Sequence, residues 1–395
     1  MRVAIVHHWF VTRGGGERVA ECIARLFPEA EIFTLVAGPA GTPEGLVGRR
    51  LHTSFLQKVP LARRHHRHMM PLYPLAVEGL DLKGFDLVIS SDSGPIKGVR
   101  VDPGAVHICY CHSPMRYLYD GYESYRAEMS GLTRVLFTAT AKRLRDWDLR
   151  ASGRVTHFVA NSEYVASRIR RFYGRESVVI HPPIDLHRGQ IAAEPGQHYL
   201  CAGRLVGYKR TELIMEACIR LGRPLRIAGT GPEETKLRLL AKRLNAGSRV
   251  VFLGELSTEA LWQEYAGCRA LLFAADEDFG MVPLEAQACG RPVVAYGAGG
   301  SLETVRGVKS ARGVNGATGI YFREQTVESV IEGILEFEGV ETAGGFDPAV
   351  IQMWAAEFAT PVFLRRMREF VLEKVPAATE AMVSAEALED LREVP

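Results

Sequence analysis

Short, unbroken apolar runs recur along the chain, separated by longer amphipathic stretches. In the first half they are RVAIV (2–6), EIFTLV (31–36), DLVIS (86–90), VHICY (106–110), HFVAN (157–161) and SVVIH (177–181). Continuous runs rich in Val and Ile, without polar alternation, predict central parallel strands covered on both faces. Helical periodicity fills many of the gaps. Glu17 to Leu26 is one case. SEYVASRIRRFYG (162–174) is another, with Ser162 as its N-cap and Gly174 as its stop.

After HPPIDLHRGQIAAEPGQ (181–197) the pattern restarts: YLCAG (199–203), LRIAG (225–229), VVFLG (250–254), ALLFA (270–274) and PVVAY (292–296). The Pro- and Gly-containing stretch 182–197 reads as a linker. Strand–helix units repeated in both halves predict an α/β protein of two doubly wound, Rossmann-like domains, 1–190 and 191–347. Ligands on such sheets bind beyond the carboxyl ends of the strands. From about residue 346 the pattern is helical again, with Pro361 as a kink. The Ala- and Glu-rich tail, 376–395, reads as a loosely attached helix or as disordered chain.

Composition narrows the class. A chain of 395 residues suits two domains better than one core. A net charge of +2 gives no argument for nucleic acid as a partner. Seven cysteines without framework spacing point to a reducing compartment. The apolar run at the N-terminus is too short for a signal peptide, and no run of 18 apolar residues exists to span a membrane. The expected location is the cytoplasm.

Several loops carry candidate chemistry. Gly14-Gly15-Gly16-Glu17 follows the first strand and opens a helix, so its backbone reads either as a tight turn or as an anion-binding loop. It is neither a Walker loop nor GxGxxG. Arg204 and Lys209, in CAGRLVGYKR, sit at the carboxyl end of a strand, where two cations can grip a diphosphate. Gly229-Thr230-Gly231-Pro232 is a strand-to-helix turn that lines a nucleotide pocket or is only a turn. In ADEDFGMVPLEAQACGRPVVA (275–295), Glu277 falls after a strand, and Pro283 as helix start puts Glu285 in a first turn. A carboxylate there complements the helix dipole or, facing a cleft, accepts two hydroxyls of a ribose. Glu277 lies across the N–H groups of Phe279, Gly280 and Met281. Both acids suit hydroxyl acceptance better than a glycosidase acid–nucleophile pair.

Glu277-x7-Glu285 with Phe279-Gly280 inside and ACGRPVVA behind resembles the signature of family-4 glycosyltransferases of the GT-B fold. GRLVGYKR, GGGE, IAGTGP, VVFLGELS and the turn Gly299-Gly300-Ser301-Leu302-Glu303 also resemble that family's segments, in order, over about residues 1–370. The resemblance implies two domains facing across a cleft and a C-terminal helix, 348–375, crossing back to the first domain. It implies that Glu285 binds the nucleotide ribose and that Glu277 contacts the donor sugar with backbone N–H groups of residues 279–282, Val282 included. Arg204 and Lys209 would hold the departing diphosphate. The base would lie against the turns at 229–231 and 253–255, touching Gly229, Gly231 and Leu253, and Gly15 and Gly16 would belong to the donor loop. The family's reactions retain anomeric configuration and need no metal or other cofactor.

HICYCHSPMRYLYDGY (107–122) further resembles polysaccharide-assembly mannosyltransferases. Cys109-x-Cys111-His112 lacks a second ligand pair, so a zinc site is rejected. By resemblance His112 contacts the donor sugar, and Arg116, Tyr117 and Asp120 line the acceptor side. The stretch 48–80, with His52, His65, His66 and His68 among Arg, Lys and apolar residues, reads either as a solvated face or as a cationic flap resting on anionic membrane.

The expected function is a retaining hexosyltransferase, with GDP-mannose as favoured donor and a saccharide, lipid-linked, as acceptor. An epimerase and a non-catalytic nucleotide-sugar subunit are the alternatives. A phosphorylase is disfavoured, because no pyridoxal-lysine motif is present.

Overall fold

The computed structural model describes residues 1–12, 14–66, 69–127, 129–308 and 316–384. The chain folds as two compact units. Among the described residues, one comprises Met1–Pro183 and 360–384; the other is Ile184–Ala359.

The first unit holds β1 (Val3–Phe10), β2 (Glu31–Ala37), β3 (Leu51–Thr53), β4 (Leu87–Asp92), β5 (Val106–Cys111), β6 (His157–Ala160) and β7 (Ser177–Val179). They form one parallel sheet in the order β3-β2-β1-β4-β5-β6-β7. Its two faces bury alternate residues of each strand. Val3 and Ile5 join one apolar cluster, Ala4 and Val6 the other, as the period of two requires.

The second unit repeats the plan with β8 (Tyr199–Ala202), β9 (Leu225–Ala228), β10 (Val250–Gly254), β11 (Ala270–Phe273), β12 (Val293–Tyr296) and β13 (Gly319–Phe322). The order is β10-β9-β8-β11-β12-β13, again parallel. In each sheet the strand order reverses once, between β1 and β4 and between β8 and β11. Helices that leave those two strands in opposite directions open a crevice at their carboxyl ends.

The helix signals hold where caps set them. Ser162 Oγ accepts the Val165 N–H, and Gly174 ends the helix Glu163–Tyr173 in the left-handed region. Elsewhere the structure differs from the pattern. β3 and β13 were not anticipated: β3 has three residues around a histidine, and GIYF (319–322) lacks a Val- or Ile-rich run. The second unit begins earlier than residue 191, because Ile184 is buried and bridges to Ala359. The expected helix 348–375 is two helices, Pro348–Ala356 in the second unit and Thr360–Lys374 in the first. Pro361 kinks neither. It lies in the first turn of the later helix, where its missing N–H removes no helical bond.

The stretch 48–80 is no loose flap. Leu56, Ala62, Tyr73, Ala76 and Val77 are buried in the first unit's core. His52 pairs with Glu31 at 2.7 Å, and His66 is buried with its Nδ1 on the Arg63 carbonyl. His65 is exposed. His68 and the tail beyond residue 384 lie outside the described residues.

Candidate functional site

In the second unit, the candidate residues gather at the carboxyl ends of β8 and β11, the two strands flanking the reversal. Lys209 ends a short 3-10 turn after β8, and Glu277 follows β11. Their side chains meet across the reversal, Nζ to Oε1 at 3.0 Å, both largely shielded from solvent. Gly203 makes room for this. Its φ of +124° favours glycine, and a Cβ there would come within 2.7 Å of Lys209 Nζ. Burial alone would lower the Lys209 pKa. The Glu277 carboxylate more than offsets it, so the ammonium lies above its ordinary value. Arg204 is exposed, and among the described residues it has no hydrogen-bond or ion-pair partner. One cation is thus anchored and the other is available to an anion.

Gly280, at φ +91°, caps the helix Met281–Ala288 from the left-handed region without a side-chain cap. That helix starts at Met281, two positions ahead of Pro283. Glu285 therefore sits in the second turn, not the first, where the dipole explanation for an acid weakens. Its position is set by a neighbour instead: the Tyr265 hydroxyl donates to Oε2 at 2.7 Å. Burial, then the Glu285 charge, push the Tyr265 pKa well up and keep it a donor. Phe279 is buried, and Met281 and Val282 pack partly buried against the same core as Leu253. The Gly300 N–H donates to the Glu277 carbonyl at 2.8 Å, which ties the turn at 299–301 to this loop. The other turns interlock as well. Gly229 N–H donates to the Gly254 carbonyl at 2.7 Å, and Leu205 N–H to the Thr230 carbonyl at 2.9 Å. Gly231 lies against the Leu205 carbonyl. The second unit thus brings together a partly buried ion pair, a free guanidinium and a carboxylate held by tyrosine. That set suits a phosphate and hydroxyls.

His112 belongs to the first unit. It follows β5, and its Nε2 lies 2.8 Å from Ser91 Oγ at the end of β4. Around it, at the β1/β4 reversal, are His7, His8, Glu17 and Gly16; Gly15 starts the same helix, Gly15–Leu26. The reading of the chain passed over this cluster, since His7 and His8 sit inside a strand run. Two adjacent histidines on an otherwise apolar strand were the available signal. Burial pushes the His7 pKa down to about 3. Cys109 and Cys111 are buried free thiols, as are the other five cysteines.

The acceptor-side candidates have structural partners. Asp120 pairs with Arg168 at 2.8 Å, and Arg168 also donates to Ser113 Oγ at 2.7 Å. The Tyr117 hydroxyl contacts Met115 Sδ at 2.8 Å. Arg116 opens the 3-10 turn Arg116–Leu118. These bonds shape the loop after His112, and they give Asp120 a role that needs no acceptor.

Two parallel-sheet units of this topology, with charged turns at the strand ends, define a GT-B architecture. Solved structures agree on the fold. HepE of Anabaena in complex with UDP superposes with a TM-score of 0.69 at 17% identity, over 94% of this chain and 100% of that one. Sucrose-phosphate synthase of Thermosynechococcus elongatus gives 0.70 at 16%, over 95% and 100%. Residues 13–188 match the family described as Glycosyltransferase Family 4, and residues 183–340 match Glycosyl transferases group 1. The chain thus carries a family-4 glycosyltransferase domain followed by a group 1 glycosyltransferase domain.

Curated relatives are more similar in sequence but match only part of the chain. The GDP-mannose-dependent alpha-(1-6)-phosphatidylinositol monomannoside mannosyltransferase of Mycolicibacterium smegmatis is 31% identical over 182 residues, 39% of this chain and 48% of that protein. The D-inositol 3-phosphate glycosyltransferase of Geodermatophilus obscurus is 32% identical over 180 residues, 38% and 39% of the two chains. The match thus spans half or less of the length of these relatives.

Proposed function

We propose that this protein is a retaining hexosyltransferase that moves mannose from GDP-mannose to a saccharide acceptor, lipid-linked, in surface polysaccharide or glycolipid synthesis. The observation that carries the transferase reading is the Lys209–Glu277 pair at the β8/β11 reversal, with Arg204 open beside it. In this reading Arg204 and Lys209 take the diphosphate and stabilise its charge as the glycosidic bond breaks. Glu285, aimed by Tyr265, accepts the ribose hydroxyls. Glu277 serves the sugar while its other contact holds Lys209. The leaving phosphate accepts the acceptor proton, so no separate general base is required. The choice of GDP-mannose rests on the printed activity of the mycobacterial relative, and the lipid-linked acceptor on its phosphatidylinositol substrate. Peripheral membrane contact through 48–80 is supported by exposed Phe55, Leu61 and Leu75 and exposed Arg63 and Arg64 in the same stretch.

The test is a thermal-shift and turnover panel of GDP-, UDP-, dTDP- and ADP-sugars. GDP-mannose is expected to stabilise the protein and to be slowly hydrolysed. Arg204→Ala and Lys209→Ala should each lower turnover by about 10²–10³. Stabilisation by UDP-sugars alone would displace the mannose assignment but keep the transferase. No shift with any nucleotide-sugar would remove both.

A further inference from the structure

The first unit carries a cluster that the transferase reading leaves unused. His7, His8 and Glu17 are buried, and each offers a ligand atom within 4.8 Å of the others. His7 Nδ1 lies 3.1 Å from the Ser91 carbonyl. A carbonyl only accepts, so Nδ1 carries the proton and Nε2 bears a lone pair. That lone pair faces Glu17 Oε1 at 4.0 Å, and among the described residues no hydrogen-bond donor reaches it; His8 Nδ1 is likewise buried with no partner among them. Two buried ring nitrogens and a carboxylate thus converge without a hydrogen-bond partner for either nitrogen among the described residues, an arrangement that is unfavourable when empty.

We propose that His7, His8 and Glu17 form a binding site for a divalent transition-metal ion of the zinc class. Two imidazoles and one carboxylate are the donor set such ions favour. The surroundings fit ligation as well. A ligating histidine ordinarily donates its other ring N–H to a carbonyl or similar partner, as His7 does to Ser91, while His8 Nε2 lies 3.3 Å from Ser93 Oγ. Gly16 has no side chain to cover the rings. A Cβ there would lie 3.5 Å from His7 Cε1 and 3.7 Å from His112 Nε2. With three protein ligands, a tetrahedral ion would complete its coordination with water or another oxygen ligand. The site departs from the expectation of a metal-free protein, and it stands independently of the transferase assignment.

The experiment strips the full-length protein with chelator, then titrates it with Zn²⁺ by calorimetry and with Co²⁺ by visible absorption. One equivalent is expected to bind, to raise the melting temperature and to give the Co²⁺ spectrum of mixed nitrogen and oxygen ligation. Glu17→Gln and His8→Gln should each weaken binding by at least about tenfold, with metal-free melting showing that the variants fold. If one of them does not fold, the other carries the test. A titration without binding overturns the site. So does binding that both variants leave unchanged, since the ion would then sit elsewhere, as on the exposed His65.

Discussion

Lys97 has no solvent exposure, and neither do its two partners. Its ammonium lies 3.1 Å from Asp92 Oδ2 and 2.6 Å from Asp148 Oδ1, and it donates to the Gly94 carbonyl at 2.9 Å. Tyr119 and Tyr173 each donate to Asp148 Oδ2 at 2.8 Å. Burial alone would lower the lysine pKa, but the two carboxylates carry it well above its ordinary value. A buried pair of this kind is weak evidence of net stability, whereas breaking it is expensive. Lys97→Met leaves two carboxylates facing each other in the core and is expected to cost about 3–5 kcal/mol. Pairing it with Asp148→Asn should recover part of that loss, as contacting residues do not add. Urea unfolding of the four proteins measures the cycle, and a single-mutant cost below about 1 kcal/mol would show that water or rearrangement already compensates the acids. The triad also matters to chemistry. Asp92 ends β4 one residue after Ser91, so the lock that holds Asp92 holds the residue contacting both His7 and His112. None of this was legible in the chain. Residues 92, 97 and 148 carry no shared motif, and only the fold brings the helix Gly131–Ser152 over the end of β4.

Elements were easier to read than the contacts between them. Strands with Val- and Ile-rich runs stand where the pattern put them, because burial on both faces leaves that signature. The edge strands β3 and β13 leave none, whereas the equally short edge strand β7 does in SVVIH. Proline was ambiguous for a physical reason: at 361 it can kink a long helix or start a new one, and only the chain's path decides. The site residues at strand ends were legible one by one. The Lys209–Glu277 contact was not, since it depends on β8 and β11 being neighbours, and 67 residues of chain, 203–269, lie between them. Helix Val327–Thr342 shows the same limit. Glu338 takes a bidentate bond from Arg223, 2.7 Å at each oxygen, and accepts from Tyr199 and Arg269 at 2.9 and 3.1 Å. These bonds, Arg223 first, hold its pKa below the ordinary 4.5. A depressed acid adds stability that is complete above its unfolded value and is lost as pH falls through its folded value. The stability difference between the wild type and Glu338→Gln should thus be constant at neutral pH and shrink below 4.5. Denaturant unfolding at several pH values checks this, and a difference that does not vary with pH would mean that shape, not charge, ties the helix down.

At the scale of the molecule, the chain leaves the first unit at Pro183 and returns to it at Thr360. The returning helix, Thr360–Lys374, is part of the first unit's core. Phe363, Leu364, Met367, Phe370 and Val371 are buried in the same cluster as Val19, Ile23 and Leu26 of the helix Gly15–Leu26. Each such side chain is worth about 1.5–3 kcal/mol of burial. Five of them together approach the whole ~5–15 kcal/mol that a domain has in reserve. The two apolar clusters of the second unit, by contrast, reach no further than Phe358. A chain stopped after Ala359 should therefore lose the first unit and keep the second. By calorimetry one transition remains, and a nucleoside diphosphate that stabilises the full-length protein still raises it, because Arg204, Lys209, Glu277 and Glu285 all lie in the surviving unit. Two surviving transitions would mean that the first unit's sheet closes its core without the returning helix. Loss of both would mean that the second unit depends on the first to fold. The metal site can be placed by the same truncation: His7, His8 and Glu17 belong to the unit that should unfold, so zinc binding should disappear while nucleotide binding persists.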